Sequence, residues 1–161
     1  MAYCLGLTFH FVVASARMLN RKWVSAELEE LIFPAGLIIP TEYFRLFLAA
    51  DLQDVRSEQM IAFSNEALGR GMVYFCGWGD DCERMHDCVD QAAIEAETEG
   101  RLRGTVMTTW HSDENLQEST TFFRDLALPS AEFEEQTCCW VAFSLKNTSW
   151  MRVIEDVFQA G

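Results

Sequence analysis

Apolar runs begin near residues 43, 72, 105 and 137, and each is followed by a stretch whose apolar residues recur at helical spacing. A period of about thirty residues is the length of one strand–helix–strand crossover. Right-handed crossovers place such strands parallel, with helices on both faces and every strand's carboxyl end on one edge. The expectation is a single α/β domain over residues 1–161, with a mostly parallel sheet of four to five strands of Rossmann-like or flavodoxin-like type. Residues 43–161 supply successive βα units, and residues 1–42 supply an N-terminal strand and a short helix.

Along the chain, Leu5, Leu7, Phe9, Phe11 and Val13 alternate with Gly6, Thr8, His10 and Val12, as in a half-buried edge strand. Ser25 followed by Ala26-Glu27-Leu28-Glu29-Glu30-Leu31 reads as a capped helix ended by Pro34. Leu37-Ile38-Ile39 is a short strand or a buried connection. Helices are expected over Asp54–Leu68, from an Asp80-Asp81-Cys82-Glu83 capping pattern onward, after a cap at Ser112, and from Trp150 to Phe158. Thr105–Glu114 turns from an uncharged strand, expected to be covered on both faces, into a polar helix start. Val106 and Val141 are therefore expected on adjacent or near-adjacent parallel strands.

Charge narrows the partners. The net charge of −13 lies wholly beyond residue 50, because residues 1–50 hold four acids and four bases. Such a surface repels nucleic acid and anionic membrane and suits a basic protein, although solubility alone accounts for an acidic surface too. Half of the residues are hydrophobic. A chain with that much core does not need its six cysteines as a disulfide framework, so a reducing cytoplasm is expected. Ala14-Ser15-Ala16 resembles a signal-peptidase site, but the preceding segment lacks a basic start and contains His10. The longest apolar run, Leu31–Ile39, is broken by Pro34 and too short to span a membrane.

In open α/β sheets, ligands sit at the carboxyl ends of the strands. That edge is expected to carry Asp51 and Asp54, then Trp78, Gly79, Asp80 and Asp81, then Trp110, His111 and Asp113, then Lys146 and Asn147. Gly77-x-Gly79 before a helix fits a phosphate cradle or a plain tight turn, and the adjacent acids oppose phosphate. Cys82 and His86, one helical turn apart, with Cys76 and His111, form a weak zinc pattern, so no metal and no cofactor is expected. Asp51 or Asp54, Asp80 or Asp81, Thr108 or Thr109, and Lys146 match phosphoacceptor receivers in residue type only. Cys76 and His111 are the one thiol and base on neighbouring strands. Trp78 and Trp110 at two strand mouths are pocket walls, an interface anchor, or packing under the next helix.

Cys76-Gly77-Trp78-Gly79-Asp80-Asp81-Cys82, then Val106-Met107-Thr108-Thr109-Trp110-His111-Ser112-Asp113-Glu114, then Phe122-Phe123, resemble a family of small uncharacterised bacterial α/β proteins. The resemblance spans roughly residues 71–126. It implies the parallel-sheet architecture and no established activity. Two functions stay open. The first is a non-enzymatic acidic protein, of immunity or regulatory type, that binds a basic macromolecular partner through Trp78, Gly79, Trp110, His111 and Asp113. The second is an enzyme or small-ligand binder at a strand-end cleft around Trp78 and His111, with His111, Asp80 and Asp81 as catalytic candidates. No oligomeric state is indicated.

Overall fold

The computed structural model describes residues 12–15, 22–133, 136 and 138–161. In them β1 (Val12–Ser15), β2 (Lys22–Leu28), β3 (Tyr43–Ala49), β4 (Met72–Trp78), β5 (Met107–His111) and β6 (Cys138–Leu145) form one sheet in the order β1-β2-β6-β3-β4-β5. The five strands from β2 to β5 in that order run parallel, and β1 pairs antiparallel with β2. Among the described residues four α-helices cover the sheet: α1 (Ser57–Gly69), α2 (Cys82–Thr98), α3 (Leu116–Asp125) and α4 (Thr148–Ala160). This is the doubly wound α/β arrangement that the thirty-residue period implies.

The central strand β3 shows why both faces must be covered. Phe44, Leu46 and Leu48 point into the layer of Met60, Phe63, Met85 and Val89 from α1 and α2. Phe47 and Ala49 point the other way, toward Phe123, Ile154 and Phe158 from α3 and α4. Each fully buried phenylalanine contributes about 1.5–3 kcal/mol relative to exposure. The one charge in the strand, Arg45, is also buried; its Nη1 donates to the Ala127 carbonyl at 2.8 Å and its guanidinium lies 4.4 Å from the centre of the Trp140 ring. A charge-assisted hydrogen bond and a cation–π contact offset part of the cost of desolvating it.

Several expectations fail locally. Ser25–Leu31 is not a helix, because Lys22–Leu28 is strand β2, paired with β6 from Trp23↔Trp140 to Leu28↔Leu145. Two faces explain it: Val24, Ala26 and Leu28 join the α1/α2 core, Trp23 stacks on Phe158 at 5.3 Å, and Ser25 Oγ donates to Glu155 of α4 at 2.8 Å. A reading begun at Ser25 omits Trp23 and Val24 and takes the Leu28/Leu31 spacing for a helical one. Leu31, Phe33 and Leu37 then cover the α1 face in an irregular connection, with Phe33 edge-on to Phe143 at 5.4 Å, while Ile38 is 83% exposed. Leu37–Ile39 is thus a connection and no strand.

The strand from Thr105 forms, as β5, but at the edge of the sheet, and it is only half covered. Val106 lies just before it, outside the strand, and β3 and β4 separate β5 from β6, which holds Val141, so the expected neighbouring strands are not neighbours. Ser112 caps nothing. The N-cap of α3 is Asn115, whose side chain accepts from the Glu118 N–H at 2.9 Å, and Glu118 accepts in return from the Asn115 N–H. The Asp80/Glu83 capping box is absent as well: Asp81 takes the N-cap position of α2 at φ 63°, and Asp80 accepts from Gln53 Nε2 at 3.3 Å. Of the expected strand Leu5–Val13, all but Val12 and Val13 lies outside the described residues, as does His10.

Candidate functional site

Residue alternation along β5 sorts the candidate residues onto two faces of the sheet. Thr109 and His111 face α3 and α4: the Thr109 hydroxyl is 3.4 Å from Tyr74 Oη, and the His111 ring lies 4.7 Å from Phe122. Thr108 and Trp110 face α2, where both meet His86. Trp110 and His111 therefore do not share a wall.

On the α3/α4 face, Trp78 pairs in register with His111. Trp78 Nε1 donates to the Glu114 carbonyl at 2.9 Å, and its ring meets Trp150 edge-on at 5.2 Å. This bond pulls the segment after β5 back over the sheet and delays α3 until Asn115. His111 is closed in, its side chain 11% exposed and Nδ1 3.4 Å from Glu114 Oε1. Nε2 is buried without a hydrogen-bond partner among the described residues. Asp113 is exposed.

Gly79, Asp80 and Asp81 build the turn that joins β4 to α2. Gly79 has φ 110°, and a Cβ there would overlap the Ala50 carbonyl oxygen. Ala50 N–H bonds to the Trp78 carbonyl and Leu52 N–H to the Asp80 carbonyl, so the two chain segments run in contact past the strand ends. Asp81 pairs with Arg84 at 2.6 Å, and Arg84 donates to the carbonyls of Leu52 and Val55 at 2.8 and 2.9 Å. The carboxylates thereby help tie the β3–α1 loop to α2.

Cys76 is buried on β4, and burial pushes its thiol up to about 12, with Cys82 and Glu114 adding repulsion that the Thr109 hydroxyl only partly offsets. A thiol held neutral is a poor nucleophile. Cys82 is buried too, while His86, one turn on, leans toward β5. No group of three or more potential metal ligands occurs among the described residues.

The contacts of His86 form a cluster that sequence reasoning did not assemble. The Thr108 hydroxyl donates to Asp90 at 2.7 Å and lies 2.9 Å from His86 Nε2. Its single proton is then committed to the carboxylate, so Nε2–H is the donor in the second contact. An imidazole in that state has no lone pair turned toward the hydroxyl and is not set to activate it as a nucleophile. His86 Nδ1 sits 3.3 Å from Asp87, and Trp110 covers the ring at 4.4 Å while staying 42% exposed. The His86/Asp90 spacing of one helical turn was the available signal. Its partner Thr108 became visible only with the strand beside it.

A family model described as a domain of unknown function (DUF7684) matches residues 33–159. The chain belongs to this family. The DUF7684 match takes in β3 to β6 and all four helices, and leaves β1 and β2 outside it. A comparison with curated proteins finds no match. No helix among the described residues is long and apolar enough to cross a membrane.

Proposed function

We propose that this DUF7684 protein is a non-enzymatic interaction protein, of immunity or regulatory type, that works in the cytoplasm and binds a basic protein through the α2–β5 side. One observation carries the reading. Glu83, Asp87, Asp90 and Glu97 share the outward face of α2, next to the exposed indole of Trp110, and Arg84 is the helix's one arginine or lysine. Like charges at this spacing cost the helix a few tenths of a kcal/mol per pair. Arg84 is committed to Asp81 and to two loop carbonyls, so it does not neutralise the row. A basic partner would relieve that repulsion, and an exposed tryptophan supplies the apolar anchor that charge alone lacks.

The test is a pull-down on cell extract at low salt and at 1 M salt, where the screening length falls to about 3 Å. Retained proteins should be basic, should elute as salt rises, and should be lost from a Glu83→Lys/Asp87→Lys/Glu97→Lys variant that melts like the parent. Acidic partners, or basic ones indifferent to salt and to the charge reversal, would refute the proposal.

A further inference from the structure

β5 ends the strand order, and no described strand pairs with its outer side. Half of its backbone N–H and C=O groups therefore face away from β4, forming a template for another strand. Exposed edges are usually blunted by lysine, proline, an inward charge or a bulge. Thr105-Val106-Met107-Thr108-Thr109-Trp110-His111 contains no lysine, arginine, acid or proline, and the β4–β5 register runs from Tyr74↔Met107 to Trp78↔His111 without a shift. The strand is five residues long, an ordinary length. Among the described residues its outer edge is unpaired by any strand and uninterrupted by a bulge.

The side chains that flank this edge are exposed on both faces. Met107, on the α3 face, is 41% exposed, and Trp110, on the α2 face, is 42% exposed. Beside Trp110 stand Asp90 and Asp87, their side chains 43% and 72% exposed, each in contact with His86. A strand added here would turn alternate side chains to the two faces. Those on the α2 side would meet an indole face and carboxylates, a combination that suits arginine, which stacks on aromatic rings and pairs with carboxylate. Those on the α3 side would meet Met107.

We propose that the outer edge of β5 accepts an extended segment of the partner by strand addition, the segment alternating arginine toward Trp110 with apolar residues toward Met107. This rests on the basic-partner reading and adds its binding mode. Backbone pairing supplies affinity in such additions, and the alternate side chains supply selectivity.

Three capped, fluorescently labelled peptides of equal charge, titrated onto the full chain, test it: an extended peptide of alternating arginine and valine, the same peptide with its backbone nitrogens methylated, and a helix-forming basic peptide. Methylation keeps charge and extension but removes the backbone donors. The first peptide should bind at least tenfold more tightly than the other two, and Trp110→Ala, checked for an unchanged melting curve, should lose most of that advantage. Equal, salt-sensitive binding of all three would overturn strand addition and leave the basic-partner reading standing. Failure of all three at low salt would overturn both.

Discussion

Gly79 was a candidate binding residue on sequence, and replacing it with alanine asks whether it serves a ligand or the turn. At φ 110° a side chain is strained wherever it sits, at a cost of about 1–3 kcal/mol. Here the added Cβ would also overlap the Ala50 carbonyl oxygen and stand 3.1 Å from its carbon. Both are backbone atoms of the central strand's extension, so no flexible tip can swing aside. Relief requires the two segments to part, which endangers the Ala50–Trp78 and Leu52–Asp80 hydrogen bonds of 2.9 and 3.0 Å. Each contributes about 0.5–1.5 kcal/mol net. Gly79→Ala should therefore destabilise by about 2–6 kcal/mol.

At this chain length a kcal/mol moves the melting temperature by roughly 2–4 °C, so a fall of about 4–24 °C is expected. Circular dichroism melts and urea titration read it. Gly69→Ala is the control: Gly69 ends α1, its added Cβ would meet nothing within 4 Å, and alanine is the better helix former. That variant should be neutral or gain up to about 1 kcal/mol. A Gly79→Ala protein as stable as the parent would refute the reasoning, because it would mean that the β3 and β4 extensions are not in contact.

Two further predictions concern Arg84, which pairs with the candidate Asp81, and the buried thiol of Cys76. Arg84→Ala should cost about 2–3 kcal/mol in urea titration, because it strips the Leu52 and Val55 carbonyls of their charged donor, and Arg84→Lys should not restore it, since one ammonium cannot reproduce the guanidinium's spread of contacts; full recovery by lysine would refute this. Cys76 is neutral in the folded chain up to about 12 but ionises in the unfolded chain near 9.0, so its contribution is intact below pH 9 and fades toward pH 12 at about 1.4 kcal/mol per pH unit; if Cys76→Ala leaves the slope of stability against pH unchanged across that window, the assignment fails.

The fold was legible where one rule governed a whole segment. Tyr43–Ala49, Met72–Trp78 and Cys138–Leu145 are flanked by strands on both sides, so near-continuous apolarity marked them, and the intervening helices showed in apolar stripes such as Met85, Val89, Ala92 and Ala96. Legibility ended where two rules competed over few residues. Lys22–Leu28 carries a polar set, Ser25 and Glu27, that is matched by Glu155 and Thr148 of α4, more than a hundred residues away. Those partners decide that the segment is a strand, and local periodicity cannot contain them. The start of α3 was a contest between two caps only three residues apart. Ser112 lost because Trp78 Nε1 holds the Glu114 carbonyl, while Asn115 and Glu118 bond reciprocally.

The same limit shaped the site. Proximity in sequence joined Trp110 to His111, but the two-residue period of a strand sends neighbours to opposite faces, so those two residues do not line one wall. Burial then divides their roles: His111 is packed against Phe122 and Glu114, while Trp110 lies over His86 beside Asp87 and Asp90 with nearly half of its surface in solvent. Packing alone does not require an indole at an edge position whose inner side is already occupied by an imidazole. The exposed ring, the acids without arginine or lysine on their side of α2, and the outer edge of β5, which no described strand pairs, lie side by side. All three would be satisfied by a single extended basic chain, and each acts on a different part of it: the side chains' aromatic contact, their charge, and the backbone.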